Sequence, residues 1–216
     1  MNPRKIDKCI RSIQNLRGVD KLWLVAYSEQ GLERPIADFI ESTHYDNYLI
    51  VSDDVIVTQD ALEWVLFALG QGDEAATGWC NLSAVGPARL LANLTRAPLE
   101  GEPPTWDSYR FYDIDDVRKQ PESFETWLMG HCLSGMTRSL WRRFPFRSYP
   151  REQSPTTPSG YGSDYNVSMR LQRAGVDMRA LRDARCIHLG GPGTRHRYEG
   201  LQIGIEPPHT VFEEAS

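Results

Sequence analysis

The stretch from Tyr48 to Leu69 constrains the fold of this chain more than any other. Tyr48 to Val51 (YLIV) is a short, continuous apolar run of the kind that forms a buried strand, and it leads directly into Ser52-Asp53-Asp54. Gln59 to Leu69 follows as a helix, with Leu62, Val65, Leu66 and Leu69 on one stripe and Gly70 just beyond as a stop signal. A strand that ends in two adjacent carboxylates and is succeeded by an amphipathic helix is a unit of an α/β fold. In such folds ligands bind outside the carboxyl ends of the strands.

The rest of the chain continues the alternation. Asp7 to Leu16 reads as an amphipathic helix stopped by Gly18, and Lys21 to Ser28 as a buried strand. After a loop holding Gly31 and Pro35, Ile36 to Glu41 reads as a short helix. Ala75 to Leu82 and Leu128 to Met136 are strand-like, Ser139 to Phe144 is a short helix ended by Pro145, and Asp164 to Ala174 is a helix capped by Gly175. Two short strands, Met178 to Leu181 and Arg185 to His188, precede a Gly190-Gly191-Pro192-Gly193 turn. The expectation is one α/β domain over residues 1–216, a mostly parallel sheet flanked by helices. A long loop insertion is expected at about 101–126, where Pro, Tyr, Trp and Asp concentrate, and a mobile loop at about 147–162.

At 216 residues, with 40% hydrophobic and 25% charged residues, the chain can bury a sizeable single core. A net charge of -5 and a pI near 5.6 argue against a nucleic-acid binder, leaving nucleic acid open only as a molecule to be modified. The longest apolar run, Leu62 to Leu69, contains Glu63 and falls far short of the roughly 20 residues of a membrane span. Met1 to Lys8 is polar and no apolar stretch of a signal peptide follows, so a cytoplasmic location is expected. Cys9, Cys80, Cys132 and Cys186 are widely spaced without a CxxC pair, which predicts reduced core thiols.

Three features carry chemistry. Asp53 and Asp54 at a strand end suit a hard divalent cation, magnesium or manganese, which takes one or two carboxylates and completes its shell with phosphate and water. Gly160-Tyr161-Gly162-Ser163-Asp164 brings a carboxylate to a helix start, and His188 closes a strand. Each also has a structural reading: a solvated turn, a helix cap, a hydrogen-bonded histidine.

YLIVSDDVIVTQDAL resembles the DxD strand and following helix of the GT-A glycosyltransferases, particularly the broad family-two group. LSGMTRSLWRRFPF looks like that group's later strand, basic turn and helix. YGSDYNVSMRLQRAGVDMRALRDARCIHLG is similar to its acidic base motif, helix, strand and terminal metal-binding His. The likeness runs roughly from Leu22 to Gly193.

The resemblance implies a GT-A-like fold that binds a nucleotide diphosphate sugar through a divalent cation and transfers the sugar to a glycan, protein or other hydroxyl-bearing acceptor. By this likeness Asp54 binds the metal with Asp53 beside it, and Ser52 stands where the first acid usually contacts the ribose. Asp164 matches the catalytic base of inverting members, with Ser163 in place of the usual Glu, and His188 completes the metal and diphosphate site. Arg195 and His196 fall where tail residues approach the diphosphate.

The pattern departs from the family at the N-terminus, where only Met1 to Lys5 precede the first helix and the usual opening strand is lacking. Either the fold is abridged there, or Lys21 to Ser28 is itself the first strand and a later unit is missing; the nucleobase is expected near Tyr27 and Ser28. Trp106 and Tyr109 offer aromatic faces that could pack on an acceptor sugar, or on the loop's own core. Arg138, Arg142, Arg143, Arg147 and Arg151 form a basic stretch that faces either an acidic ligand or solvent. The competing function is a non-catalytic GT-A-like module that binds a nucleotide sugar or glycan without turnover.

Overall fold

The structure, a computed structural model, describes residues 3–24, 30–82, 87–100, 110–147, 162–189 and 210–213. The chain opens with α1 (Pro3–Gln14), β1 (Lys21–Leu24), α2 (Gln30–Ser42), β2 (Asn47–Ile50), β3 (Val55–Ile56), α3 (Gln59–Gly70) and β4 (Ala75–Trp79). A 3-10 turn at Pro87–Leu90 leads into β5 (Leu91–Arg96), β6 (Arg110–Asp113), α4 (Ile114–Arg118) and β7 (Ser123–Glu125). The remainder is β8 (Ser134–Thr137), α5 (Arg138–Arg143), α6 (Ser163–Arg173), β9 (Arg179–Arg185), β10 (Ile187–His188) and β11 (Thr210–Glu213).

Five strands form the central sheet in the order β2-β8-β4-β9-β7. The expectation of a mostly parallel sheet is corrected here: β4 and β9 are parallel, while β2 with β8, β8 with β4, and β9 with β7 are antiparallel. Apolar periodicity reports burial and not strand direction, so the insertion of β8 between β2 and β4 was invisible in it. The consequence for the site is favourable all the same. β2, β4 and β9 share one direction, so their carboxyl ends gather at a single edge of the sheet, where β8 begins.

Helices cover both faces. Side chains of β2 alternate between them: Tyr48 and Ile50 enter a cluster with Ile40, Leu140, Trp141, Val167 and Leu171 of α2, α5 and α6. Leu49 and Val51 pack instead against a cluster holding Ala61, Leu62, Val65 and Leu69 of α3. Trp141 is anchored by its indole N–H, which donates to the Tyr48 carbonyl at 3.0 Å. Thr58 caps α3, its hydroxyl accepting from the Ala61 amide at 3.1 Å, a contact worth roughly 1 kcal/mol. Gly135 lets α3 lie close on β8, because a Cβ there would stand 2.8 Å from Leu69 Cδ1 and 3.2 Å from Val65 Cγ1.

Three sequence expectations change. The helix read over Ile36 to Glu41 extends across Gln30–Ser42 and incorporates Pro35, at the cost of one backbone hydrogen bond. The loop expected at about 101–126 holds β6, α4 and β7 from Arg110 onward, with Val117 and Phe124 buried against Trp79, Leu94 and Ala180. Elements of five residues or fewer are too short to show a period. Of the strand expected over Lys21 to Ser28, Lys21–Leu24 is described; it pairs antiparallel with β11 and, among the described residues, not with the central sheet. Among the described residues no helix is long and apolar enough to cross a membrane.

Candidate active site

Beyond β2 the backbone turns sharply, with the Val55 amide bonded to the Ser52 carbonyl at 3.3 Å and the Ser52 amide to the His131 carbonyl at 2.6 Å. The turn feeds β3, which pairs antiparallel with β10 so that Val55 lies opposite His188. The Leu189 amide closes the arrangement by donating to the Asp54 carbonyl at 2.8 Å. Asp54 and His188, 134 positions apart in sequence, are thereby brought face to face.

His188 Nε2 lies 2.9 Å from Asp54 Oδ2, and its Nδ1 lies 3.1 Å from the Asn81 carbonyl. A carboxylate and a carbonyl are both acceptors, so both contacts are satisfied when both ring nitrogens carry protons. Burial pulls the His188 pKa down, but the hydrogen bond and charge of Asp54, with help from the Asn81 carbonyl, raise it above its ordinary value. The same geometry fits a metal ligand pair. A ligating histidine usually donates its other ring N–H to a carbonyl, as Nδ1 does here to Asn81, leaving Nε2 for the ion. The Nε2 to Oδ2 separation of 2.9 Å also matches the edge of an octahedron with ligands at about 2.1 Å, whose neighbours stand about 3 Å apart. Side-chain exposures of 19% for His188 and 27% for Asp54 leave the pair reachable from solvent.

Among the described residues no group of three or more His, Cys, Asp or Glu side chains is placed to hold a metal ion. Asp53, exposed in the same turn, is the adjacent carboxylate. With Asp53 beside them, Asp54 and His188 are the residues at this edge that could contribute to holding a divalent cation.

Asp164 occupies the first turn of α6, as the sequence predicts, with Gly162 at the N-cap position. Its Oδ1 accepts from the Tyr165 amide at 2.7 Å, and Ser163 is buried at 1% exposure. No hydrogen bond among the described residues joins Asp164 to Asp54 or His188. His131, which sequence reasoning missed, braces the Ser52 turn. Its carbonyl holds the Ser52 amide, its ring stacks on Phe146 with centroids 5.7 Å apart, and the charge of Asp164 acts on it. Burial lowers the His131 pKa, against the opposing pull of Asp164 and Cys132. Both ring nitrogens are buried, and among the described residues neither has a hydrogen-bond partner. A histidine inside the apolar run LMGHCLSGM was the available signal.

The four cysteines are buried and none is in a disulfide, as expected. Cys80 and Cys186 have raised pKa values, first through hydrogen bonding with Cys132 and then through burial. Each of these three thiols adjoins the site: Cys80 precedes Asn81, Cys132 follows His131, and Cys186 stands two residues before His188. The expected donor and acceptor residues Tyr27, Ser28, Arg195, His196, Trp106 and Tyr109 lie outside the described residues. Within the basic stretch Arg142 is paired with Glu41 at 2.8 Å and Arg147 with Glu33 at 2.9 Å, Arg143 lies over the Phe144 ring, and Arg151 lies outside the described residues.

No family model matches the chain, and no curated protein does. Among solved structures it is similar to A197 from STIV, with a TM-score of 0.44 and 13% identity over 69% of this chain and 61% of that one. It is also similar to GalNAc-T7 crystallised with UDP, GalNAc and Mn2+, with a TM-score of 0.49 and 9% identity over 76% of this chain. The chain spans 31% of the length of that second structure.

Proposed function

We propose that the protein is a metal-dependent glycosyltransferase of the GT-A type that moves a sugar from a nucleotide diphosphate donor to a hydroxyl-bearing acceptor with inversion. The observation that carries this reading is the pairing of Asp54 with His188 at 2.9 Å, at the edge where the carboxyl ends of β2, β4 and β9 converge. Asp54 and His188 would hold the cation with Asp53 beside them, and Ser52 would face the donor ribose. A bound divalent ion supplies neutralisation of the charge that collects on a departing diphosphate.

The chain's own part is orientation and proton transfer. The acceptor oxygen forms a bond to the anomeric carbon as the bond from that carbon to the diphosphate oxygen breaks, and the hydroxyl proton passes to Asp164. Asp164 Oδ1 is engaged by the Tyr165 amide, which fixes the carboxylate and leaves Oδ2 for the acceptor. His131, between the Ser52 turn and Asp164, is a positioning residue in this account. Tyr27 and Ser28 would receive the nucleobase, Arg195 and His196 the diphosphate, and Trp106 and Tyr109 the acceptor.

One observation favours a second reading, a module that binds a nucleotide sugar without turnover. Ser163, standing where the family's pattern has Glu, is buried and supplies no second carboxylate. Incubating the protein with nucleotide diphosphate sugars separates the two. Donor hydrolysis that requires manganese or magnesium supports the enzyme, whereas metal-dependent binding without hydrolysis or transfer supports the module.

A further inference from the structure

Opposite Gly78 the register of β4 against β9 breaks: Thr77 pairs with Ala180, but Trp79 pairs with Arg185. One residue of β4 therefore faces the four residues Leu181 to Ala184 of β9. The bulge presses close to β4, since a Cβ on Gly78 would lie 2.6 Å from the Ala184 carbonyl oxygen. It is tied down by the Trp79 indole N–H, which donates to the Arg182 carbonyl at 2.7 Å. Bulges re-aim side chains, and this one overrides the period-two alternation that would send Arg182 and Arg185 to opposite faces. Both instead line one open cleft with Arg118 of α4, Trp79 and Asp183, of about 230 Å³.

We propose that this cleft is a binding site for a phosphate group. Three guanidinium groups meet one carboxylate on its walls, so the lining is net positive in a protein whose overall charge is -5. Arg182 is committed to Asp183 through two hydrogen bonds at 3.2 and 2.7 Å, and that pair forms a fixed rim. Arg118 gives one hydrogen bond to Asp115 at 2.8 Å. Arg185 differs from the ion-paired Arg142 of α5. Its guanidinium lies 5.3 Å from the centre of the Trp79 ring and gives one contact, at 3.4 Å, to Asn81 Oδ1, with no carboxylate partner among the described residues.

A guanidinium carries five N–H donors, so Arg118 and Arg185 keep several to offer a ligand. Planar forks of this kind match the oxygens of phosphate. The cleft is smaller than the roughly 300 Å³ at which drug-sized pockets begin, which restricts the ligand to an ion or the phosphate end of a larger molecule. Asn81 joins the cleft to the site described above, its side chain meeting Arg185 and its backbone carbonyl meeting His188.

The test is an NMR titration of the full chain with inorganic phosphate, following the Trp79 indole N–H and the Arg182 and Arg185 amides. Saturable shifts confined to these groups are expected, with acetate at equal ionic strength binding at least about ten-fold more weakly. Arg185→Gln and Arg118→Gln should each weaken phosphate binding at least about five-fold. Arg142→Gln, on the distant α5 and paired with Glu41, should not change it. A parallel titration with glycerol 2-phosphate identifies the source: equal affinity assigns the site to phosphate monoesters, and loss of affinity assigns it to the free ion. Shifts that fail to saturate, or an equal weakening in Arg142→Gln, would overturn the proposal.

Discussion

His188 stands between two acceptors, Asp54 Oδ2 at 2.9 Å and the Asn81 carbonyl at 3.1 Å, and this environment holds its pKa above the ordinary histidine value. A folded-state pKa raised above the unfolded one, about 6.5, gives stabilisation that is complete below the unfolded value and is lost as pH rises through the folded value. The melting temperature of metal-free protein should therefore decline as pH climbs upward from about 6.5. His188→Gln should flatten that decline. An unchanged slope in the variant would mean that the pair does not titrate in this range.

His131 yields a prediction with opposite signs for stability and activity. Its two ring nitrogens are buried without partners among the described residues, so exchanging the ring for a similarly shaped apolar one should remove a desolvation cost of about 1–3 kcal/mol. His131→Phe should melt at the same or a higher temperature while transfer falls. Lower stability in this variant would show that the ring nitrogens are satisfied in solution.

Gly78 is a stability hot spot of the sheet. Ala at this position would place its Cβ 2.6 Å from the Ala184 backbone oxygen, which cannot swing away as a side-chain end can. We expect Gly78→Ala to destabilise by about 1–3 kcal/mol. Gly135→Ala should cost less, because the nearest atom is a Leu69 methyl at 2.8 Å. Urea denaturation of both variants checks the order, and a smaller loss at Gly78 would refute it.

The unit from β2 through α3 was legible because two periods, four apolar residues in a row and then a helical stripe, meet at a pair of acids. The Asp164 helix was legible for a similar reason, its apolar spacing bounded by Gly162 and Gly175. The antiparallel insertion of β8 was not, since strand direction leaves no mark in a period-two pattern. The β6, α4 and β7 elements were hidden by their shortness and by the prolines and aromatics that precede them. Asp54 and His188 were legible as candidates, but their contact depends on the pairing of two-residue strands. His131 escaped because its role is set by what surrounds it in space.

Asp164→Asn separates a base from a purely structural acceptor. Asn keeps an Oδ1 that can accept from the Tyr165 amide, so stability and donor affinity should stay close to those of the unmodified protein. Transfer should fall by about two to four orders of magnitude, the usual contribution of a positioned general base. Turnover and donor affinity measured on one preparation decide it. Transfer within a few-fold of the unmodified protein would remove both the base assignment and the inverting mechanism.

If Asp54 and His188 hold a divalent cation that the donor diphosphate requires, donor binding depends on metal. Thermal shift across a panel of nucleotide diphosphate sugars should show stabilisation by a subset of donors in manganese and none in excess chelator, since a ligand specific for the folded state raises stability by mass action. Asp54→Ala should abolish the manganese-dependent shift, and His188→Ala should weaken it. Equal donor stabilisation in chelator and in manganese, or a full shift in Asp54→Ala, would contradict the account.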